Sequence, residues 1–183
     1  MDHNHVCPWW LAYTFDNPIR TFFHKPEKMF SGYVKAGDVV ADIGCGMGYF
    51  SISLAHMVKP DGKVYAIDIQ TQMLNKVKKR AIKAGVSEHI ITQLSSQSNL
   101  VFKEPVDFAL AFWMIHETRD KTKFFKKIFK GLKNQGLLLV TEPKFHVSQQ
   151  ALGDEIKSAE NAGFKVKDKP KISLSRSVLL EKI

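Results

Sequence analysis

Val39-Val40-Ala41-Asp42-Ile43-Gly44-Cys45-Gly46-Met47-Gly48-Tyr49-Phe50 decides the fold of this chain. Val39 to Ile43 reads as a buried strand and Gly44 to Gly48 as a glycine-rich turn. Tyr49 opens a helix whose apolar positions continue through Leu54, Ala55 and Val58. Strand, glycine loop and helix in that order open a nucleotide-binding βαβ unit. Glycines suit the turn because they permit positive φ and let backbone approach a ligand with no Cβ in the way.

Spacing narrows the ligand. Counted from Gly44 and Gly46, a G-x-G-x-x-G dinucleotide fingerprint would need its third glycine where Tyr49 stands. The loop is instead Asp42-x-Gly44-x-Gly46-x-Gly48, with an acid two residues before the first glycine. A carboxylate there would repel a pyrophosphate lying on the loop and suit a ligand with an ammonium group. No G-x-x-x-x-G-K-[ST] phosphate loop occurs. The segment resembles motif I of the class I S-adenosylmethionine-dependent methyltransferases, nearest to the small menaquinone- and ubiquinone-biosynthesis type. The resemblance covers roughly Lys35 to Ile183. It implies S-adenosyl-L-methionine as cofactor and S-adenosyl-L-homocysteine as product, held at Asp42, Gly44, Cys45, Gly46 and Gly48. It also implies an α/β, three-layer, doubly wound and mostly parallel seven-stranded sheet whose last strand is antiparallel.

Working outward, Lys59-Pro60-Asp61-Gly62 is a turn and Lys63 to Ile69 a second strand. Asp68 lies at its tip, 20 residues beyond Gly48. An acid there can accept from both ribose hydroxyls, as the family's ribose-binding acid does. Ile69 would then flank the adenine ring. Gln70 to Ala84 reads as a helix with apolar positions at Met73, Leu74, Val77, Ala81 and Ile82, ended by Gly85. His89 to Leu94 is the third strand. Where the family often has an acid for the adenine amino group, this chain has Ser96, so that contact falls to Ser96, Gln97 or backbone.

Val106 to Phe112 is the fourth strand, running on into Trp113-Met114-Ile115-His116-Glu117. In doubly wound sheets the ligand crevice lies at the strand ends where the order reverses, so Ala111 and Phe112 would line the cofactor with backbone carbonyls. Trp113, His116 and Glu117 would reach toward the acceptor. Amino-methylating DNA and RNA enzymes carry an Asn/Asp-Pro-Pro-aromatic sequence here, which Ala111-Phe112-Trp113-Met114 does not match. Thr118 to Lys133 has an amphipathic helical period, Asn134-Gln135-Gly136 reads as a turn, and Leu137 to Glu142 as the fifth strand. A helix from near Ser148 to Gly163 precedes a sixth strand at Gly163 to Val166. Ser173 to Lys182 would be the seventh, at the sheet edge. His116, Glu117 and His146, with Glu142, are the acid–base groups this fold would bring near the strand ends, and the first three are the candidate catalytic residues. No metal site is expected, since the seven histidines are scattered and Cys7 and Cys45 lack ligand spacing.

Length implies one domain, which the resemblance makes a methyltransferase domain expected at residues 37–183, preceded by an aromatic segment, residues 1–36. That segment holds Trp9, Trp10, Tyr13, Phe15, Phe22, Phe23, Phe30 and Tyr33, interrupted by Pro8, Pro18 and Pro26. It reads as packing against the sheet, as a lid that shapes the acceptor pocket, or as both. Two cysteines, no signal-peptide pattern and no apolar run near ~20 residues point to the cytoplasm and away from a membrane span. The net charge of +9 raises the prospect of anionic partners, but the lysines fall where surface helices need them. Three functions remain open: a methyltransferase for a small, partly apolar acceptor, which is favoured; an RNA-modifying or nucleic-acid-binding protein; and a cofactor-binding protein without transfer activity.

Overall fold

The computed structural model describes residues 22–96 and 100–183. A short helix α1 (Pro26–Phe30) precedes β1 (Val39–Ile43), α2 (Tyr49–Val58), β2 (Lys63–Asp68), α3 (Thr71–Lys83) and β3 (Ile90–Leu94). Then follow β4 (Val106–Phe112), α4 (Lys121–Gly131), β5 (Leu132–Pro143), α5 (Gln149–Glu160), β6 (Phe164–Asp168) and β7 (Ser175–Lys182). Single 3-10 turns at Ser87–His89 and Ile115–Glu117 complete the described elements.

The strands form one sheet in the order β3-β2-β1-β4-β5-β7-β6. β1 to β5 pair in parallel, and β7 runs antiparallel to both β5 and β6. Side chains alternate between two faces, as a strand period of two requires. Val40, Val64, Phe108, Leu110 and Leu139 point to the face covered by α1, α2 and the end of α3. Ala41, Ile43, Tyr65, Ile67, Ala109, Leu138 and Val140 point to the face covered by α4 and α5. With helices on both faces, the central strands β1, β2 and β4 are mostly apolar, with charges confined to Asp42, Asp107 and the two ends of β2. This is the expected three-layer, doubly wound fold.

Helix starts follow local chemistry. Asp120 accepts the Lys123 N–H at the start of α4, and Ser148 accepts the Ala151 N–H at the start of α5. α2 instead starts at Gly48 in the left-handed region, where only the glycine loop's geometry sets the entry.

Several expectations are corrected. β7 is not the edge strand. It lies between β5 and β6, with Val178, Leu179 and Leu180 all buried, while β6 exposes Lys165 to Asp168 and forms the edge. The turn read at Asn134-Gln135-Gly136 is a bulge inside a longer β5. Val106 pairs with Leu132 and Phe108 with Leu137, and the intervening chain loops out through Gln135 at φ 64°. Of the apolar positions of α3, Met73, Leu74, Val77 and Ala81 are buried, while Ile82, one position off that stripe, is 70% exposed.

In the described part of the N-terminal segment Phe30 and Tyr33 pack against the sheet, while Phe22 and Phe23 are exposed. Phe30 is fully buried against Phe50 and Phe108, and Tyr33 stacks on Phe108. Trp9, Trp10, Tyr13 and Phe15, on which the lid reading rests, lie outside the described residues, as does Gln97. Among the described residues no helix is long and apolar enough to cross a membrane.

Candidate active site at the ends of strands one, two and four

The strand order reverses between β1 and β4, and Ile43 is in register with Ala111. The loop after β1 and the segment after β4 therefore leave the sheet side by side, at the place where doubly wound folds bind ligands.

The glycine loop is fixed from three sides. Gly44 and Cys45 donate their N–H groups to the Ile67 carbonyl at 2.8 and 3.0 Å, tying the loop to β2. Arg80 on α3 donates from Nη1 to the Met47 carbonyl at 3.0 Å. Ser51 on α2 donates to Asp42 Oδ2 at 2.5 Å, so the Asp42 carboxylate, 2% exposed, helps hold the helix that follows the loop. Two glycines fit because a Cβ would collide. At Gly44 it would lie 3.0 Å from Met114 Cγ, and at Gly48 2.9 Å from Val77 Cγ2. Gly46 is different. Its φ is +54°, and a Cβ built on it would meet nothing within 4 Å. The thiol of Cys45 packs with Ala66, Leu74 and Val77, and burial, with the charges of Asp42 and Asp68, pushes its pKa well up. Cys45 is a small filler, not a nucleophile.

Asp68 stands across from Gly46. Its Oδ2 accepts the Gly46 N–H and its Oδ1 the Gln70 N–H, both at 2.9 Å. A carboxylate offers about four acceptor sites, so capacity for a ligand's hydroxyls remains. Burial raises the Asp68 pKa, against the pull of the Gln70, Gly46 and Ile69 backbone. Ile69 beside it is exposed and apolar. Ser96 is exposed after β3.

After β4, Ala111 and Phe112 are buried. The Phe112 ring sits 4.5 Å from Phe50 and 5.1 Å from His24. Trp113 adopts φ 57°, donates its backbone N–H to Thr141 O and its indole N–H to Ser175 Oγ at 2.9 Å. His24 closes this corner, with Nε2 2.9 Å from Ser173 O and its carbonyl accepting from Tyr49 Oη. The described N-terminal residues thus bridge the glycine loop and the β4 end.

Two of the three catalytic candidates come together: the His116 and His146 rings are 4.9 Å apart. Glu117 lies on the same 3-10 turn as His116 and adds to its negative surroundings. His116 Nδ1 is 2.5 Å from Glu142 Oε2, and the Glu142 carboxyl is fully buried. Glu155 on α5, Ser51 and Arg80 were not singled out in the sequence. Glu155 had a readable signal, since it lies on the buried stripe Leu152, Glu155, Ala159. Burial, then repulsion from Glu142, lifts its pKa to about 7, with Lys121 and His116 opposing. Among the described residues no group of three or more His, Cys, Asp or Glu side chains is placed to hold a metal ion.

A family model described as a methyltransferase domain matches residues 34–173. A demethylmenaquinone methyltransferase of Symbiobacterium thermophilum is 27% identical over 111 residues, 60% of this chain and 44% of that protein. A ubiquinone/menaquinone biosynthesis C-methyltransferase of Pasteurella multocida is 27% identical over 135 residues, 71% of this chain and 50% of that protein. The chain thus spans about half the length of these curated relatives. Among solved structures, a SAM-dependent methyltransferase from Aquifex aeolicus superposes with a TM-score of 0.87 at 23% identity, over 97% of this chain and 100% of that one.

Proposed function

The chain belongs to the methyltransferase-domain family, and from that membership we propose that it is an S-adenosylmethionine-dependent methyltransferase for a small-molecule acceptor. The observation that carries this reading is the pairing of an open Gly46 with the Asp68 carboxylate across one hydrogen bond. The residues present fit the cofactor. The free space over Gly46 is where a Cβ would intrude on its methionine arm, Asp68 retains acceptor capacity for two ribose hydroxyls, and exposed Ile69 offers an apolar face for adenine. Asp42, Gly44, Cys45 and Gly48 frame the loop, while Ser96, Gln97, Ala111 and Phe112 complete the proposed surround.

When bound, the cofactor supplies a methyl group already activated on a sulfonium. The protein's task is then positioning and exclusion of water, which can be worth about 7–11 kcal/mol. Trp113, Phe145 and the aromatic segment 1–36 would wall a partly apolar acceptor, and the reaction would run in the cytoplasm. The quinone-biosynthesis relatives support a small acceptor of this character.

The charge offers less support for a nucleic-acid acceptor. Lys76, Lys78, Lys79 and Lys83 lie on α3 and Lys123, Lys126 and Lys130 on α4, which cover opposite faces of the sheet. They do not make one continuous basic track.

Calorimetry with S-adenosylmethionine, S-adenosylhomocysteine and NAD tests the cofactor. The first two should bind at micromolar concentration and NAD should not. Incubating the protein with methyl-labelled cofactor and a metabolite extract then separates transfer from mere binding. Binding of NAD, or an extract that acquires no label, defeats the proposal.

A further inference from the structure

Glu142 is the last acid of β5 and is fully buried, yet it lies at the ligand end of the sheet. Its Oε1 accepts the N–H groups of Ile115 and His116 at 2.8 and 3.3 Å, which locks the 3-10 turn after β4 to β5. Its Oε2 faces His116 Nδ1 at 2.5 Å. With both oxygens acting as acceptors, Nδ1 must carry the ring proton, an assignment that follows from the network. Nε2 then holds the lone pair. Among the described residues Nε2 has no hydrogen-bond partner, and the His116 side chain keeps 20% of its surface exposed.

Two residues earlier, Met114 packs directly over Gly44 of the glycine loop. The turn that carries His116 therefore leaves from beside the glycine loop.

We infer that Glu142 is a positioning residue that presents His116 Nε2 as a general base, and that the acceptor's methylated atom carries a proton that must leave. This rests on the methyltransferase reading above. The acceptor class is a hydroxyl, an amine or an activated carbon acid; a tertiary amine or a thioether would need no base. The step balances with no further reactant. Nε2 takes the acceptor's proton, the acceptor atom's electron pair forms the new bond to methyl, and the sulfur keeps the pair of the broken S–CH₃ bond. The proton stays on the imidazole against Glu142 until solvent removes it.

The surroundings favour the charged ring that this step creates. Glu117 lies on the same turn, Glu142 on β5 and Glu155 on α5, with Lys121 of α4 4.0 Å from Glu155 and the His146 ring alongside. Burial alone would lower the His116 pKa. The hydrogen bond to Glu142 and the charges of Glu142, Glu117 and Glu155 outweigh it, and the pKa is raised. Among the described residues Glu155 Oε2 is buried with no hydrogen-bond partner, and this carboxyl acts on His116 through its charge.

Two measurements test the inference. Nitrogen-15 histidine spectra of the intact protein without ligand, assigned with His116→Gln, should show the neutral ring protonated at Nδ1 and titrating above an ordinary histidine. Glu142→Gln should lower that midpoint and mix the tautomers. A neutral ring protonated at Nε2 overturns the proposal. With methyl-labelled cofactor and a metabolite extract, His116→Gln should lose about 10²–10⁴-fold in transfer. Glu142→Gln should lose less, with the acid limb of its pH–rate profile moved to lower pH, and Glu142→Asp should recover part of the rate. All three should bind S-adenosylhomocysteine within about twofold of the parent. A His116→Gln protein that transfers at the parental rate overturns the base while leaving the methyltransferase reading intact. A parent protein that labels nothing overturns both.

Discussion

Gly46 and Asp68 are 22 residues apart in sequence and joined by one hydrogen bond, from the Gly46 N–H to Asp68 Oδ2 at 2.9 Å. The bond makes the tip of β2 part of the glycine loop, so the proposed ribose acid and the proposed methionine cradle are one unit. Asp68→Ala should therefore weaken S-adenosylhomocysteine binding by roughly 2–3 kcal/mol, since it removes a charged acceptor for two hydroxyls. Burial raises the Asp68 pKa in the free protein, and hydroxyl donors prefer the ionised carboxylate. Affinity should thus fall as pH drops through that raised range, and the fall should vanish in Asp68→Asn. Calorimetry across acid pH values checks both; an affinity indifferent to Asp68 would place the ligand elsewhere.

The loop glycines should separate binding from folding. A Cβ at Gly46 meets no protein atom within 4 Å, so Gly46→Ala should cost only the positive-φ penalty of about 1–2 kcal/mol. Gly46→Val should abolish cofactor binding in a protein that still melts cooperatively. At Gly48 the same Cβ lies 2.9 Å from Val77 Cγ2 at φ +83°, so Gly48→Ala should cost clearly more stability than Gly46→Ala. Urea melts of the two alanine variants give the comparison. Equal costs would mean that Val77 moves aside freely.

The divide between what could be read in the sequence and what could not is physical. Asp42, the alternating glycines and Asp68 were legible because each residue type is demanded by local backbone or by charge at a strand end. Strand β4 was legible because a doubly covered strand is apolar along most of its length, here from Phe108 to Phe112. The β5 bulge was not. A looped-out strand and a chain-reversing turn use the same residues, and only pairing of Val106 with Leu132 tells them apart. Nor was the edge position of β6, since strand order is a property of the sheet. His116, Glu142 and Glu155 are 26 and 13 residues apart along the chain. The sequence marked the first two as candidates near the strand ends, but their contact exists only through the parallel pairing of β4 and β5.

Glu155 should leave a mark on stability. Its pKa is about 7 in the folded protein against an ordinary 4.5, first because it is buried and then because Glu142 repels it. The native state therefore binds an extra proton between those values, and stability falls as pH rises through that window. The loss should be on the order of 2–4 kcal/mol. His116 acts in the same direction: its raised pKa stabilises the fold at low pH and that contribution disappears as pH rises through it. Glu155→Gln should flatten the profile between about pH 5 and 8 without removing the histidine's part. Urea denaturation at a series of pH values measures this; an unchanged slope would mean that Glu155 is ionised in the native protein.

Two exposed-versus-buried phenylalanines distinguish packing from the acceptor wall. Phe30 is fully buried against Phe50 and Phe108, so Phe30→Ala should cost about 3–5 kcal/mol. Phe145 is 69% exposed and meets Trp113 edge-on at 5.6 Å, one residue before His146. Phe145→Ala should change stability by less than about 1 kcal/mol, because little area returns to water. Its ring is nonetheless placed to cover an apolar acceptor held beside Trp113 and His116. The expected result is a raised acceptor KM with cofactor affinity unchanged, since Phe145 follows β5 and meets Trp113 rather than supplying the glycine loop or Asp68. Thermal melts, calorimetry and transfer kinetics on the two variants decide the matter. If Phe145→Ala leaves the acceptor KM unchanged, the exposed ring is incidental and the wall must be formed by other residues.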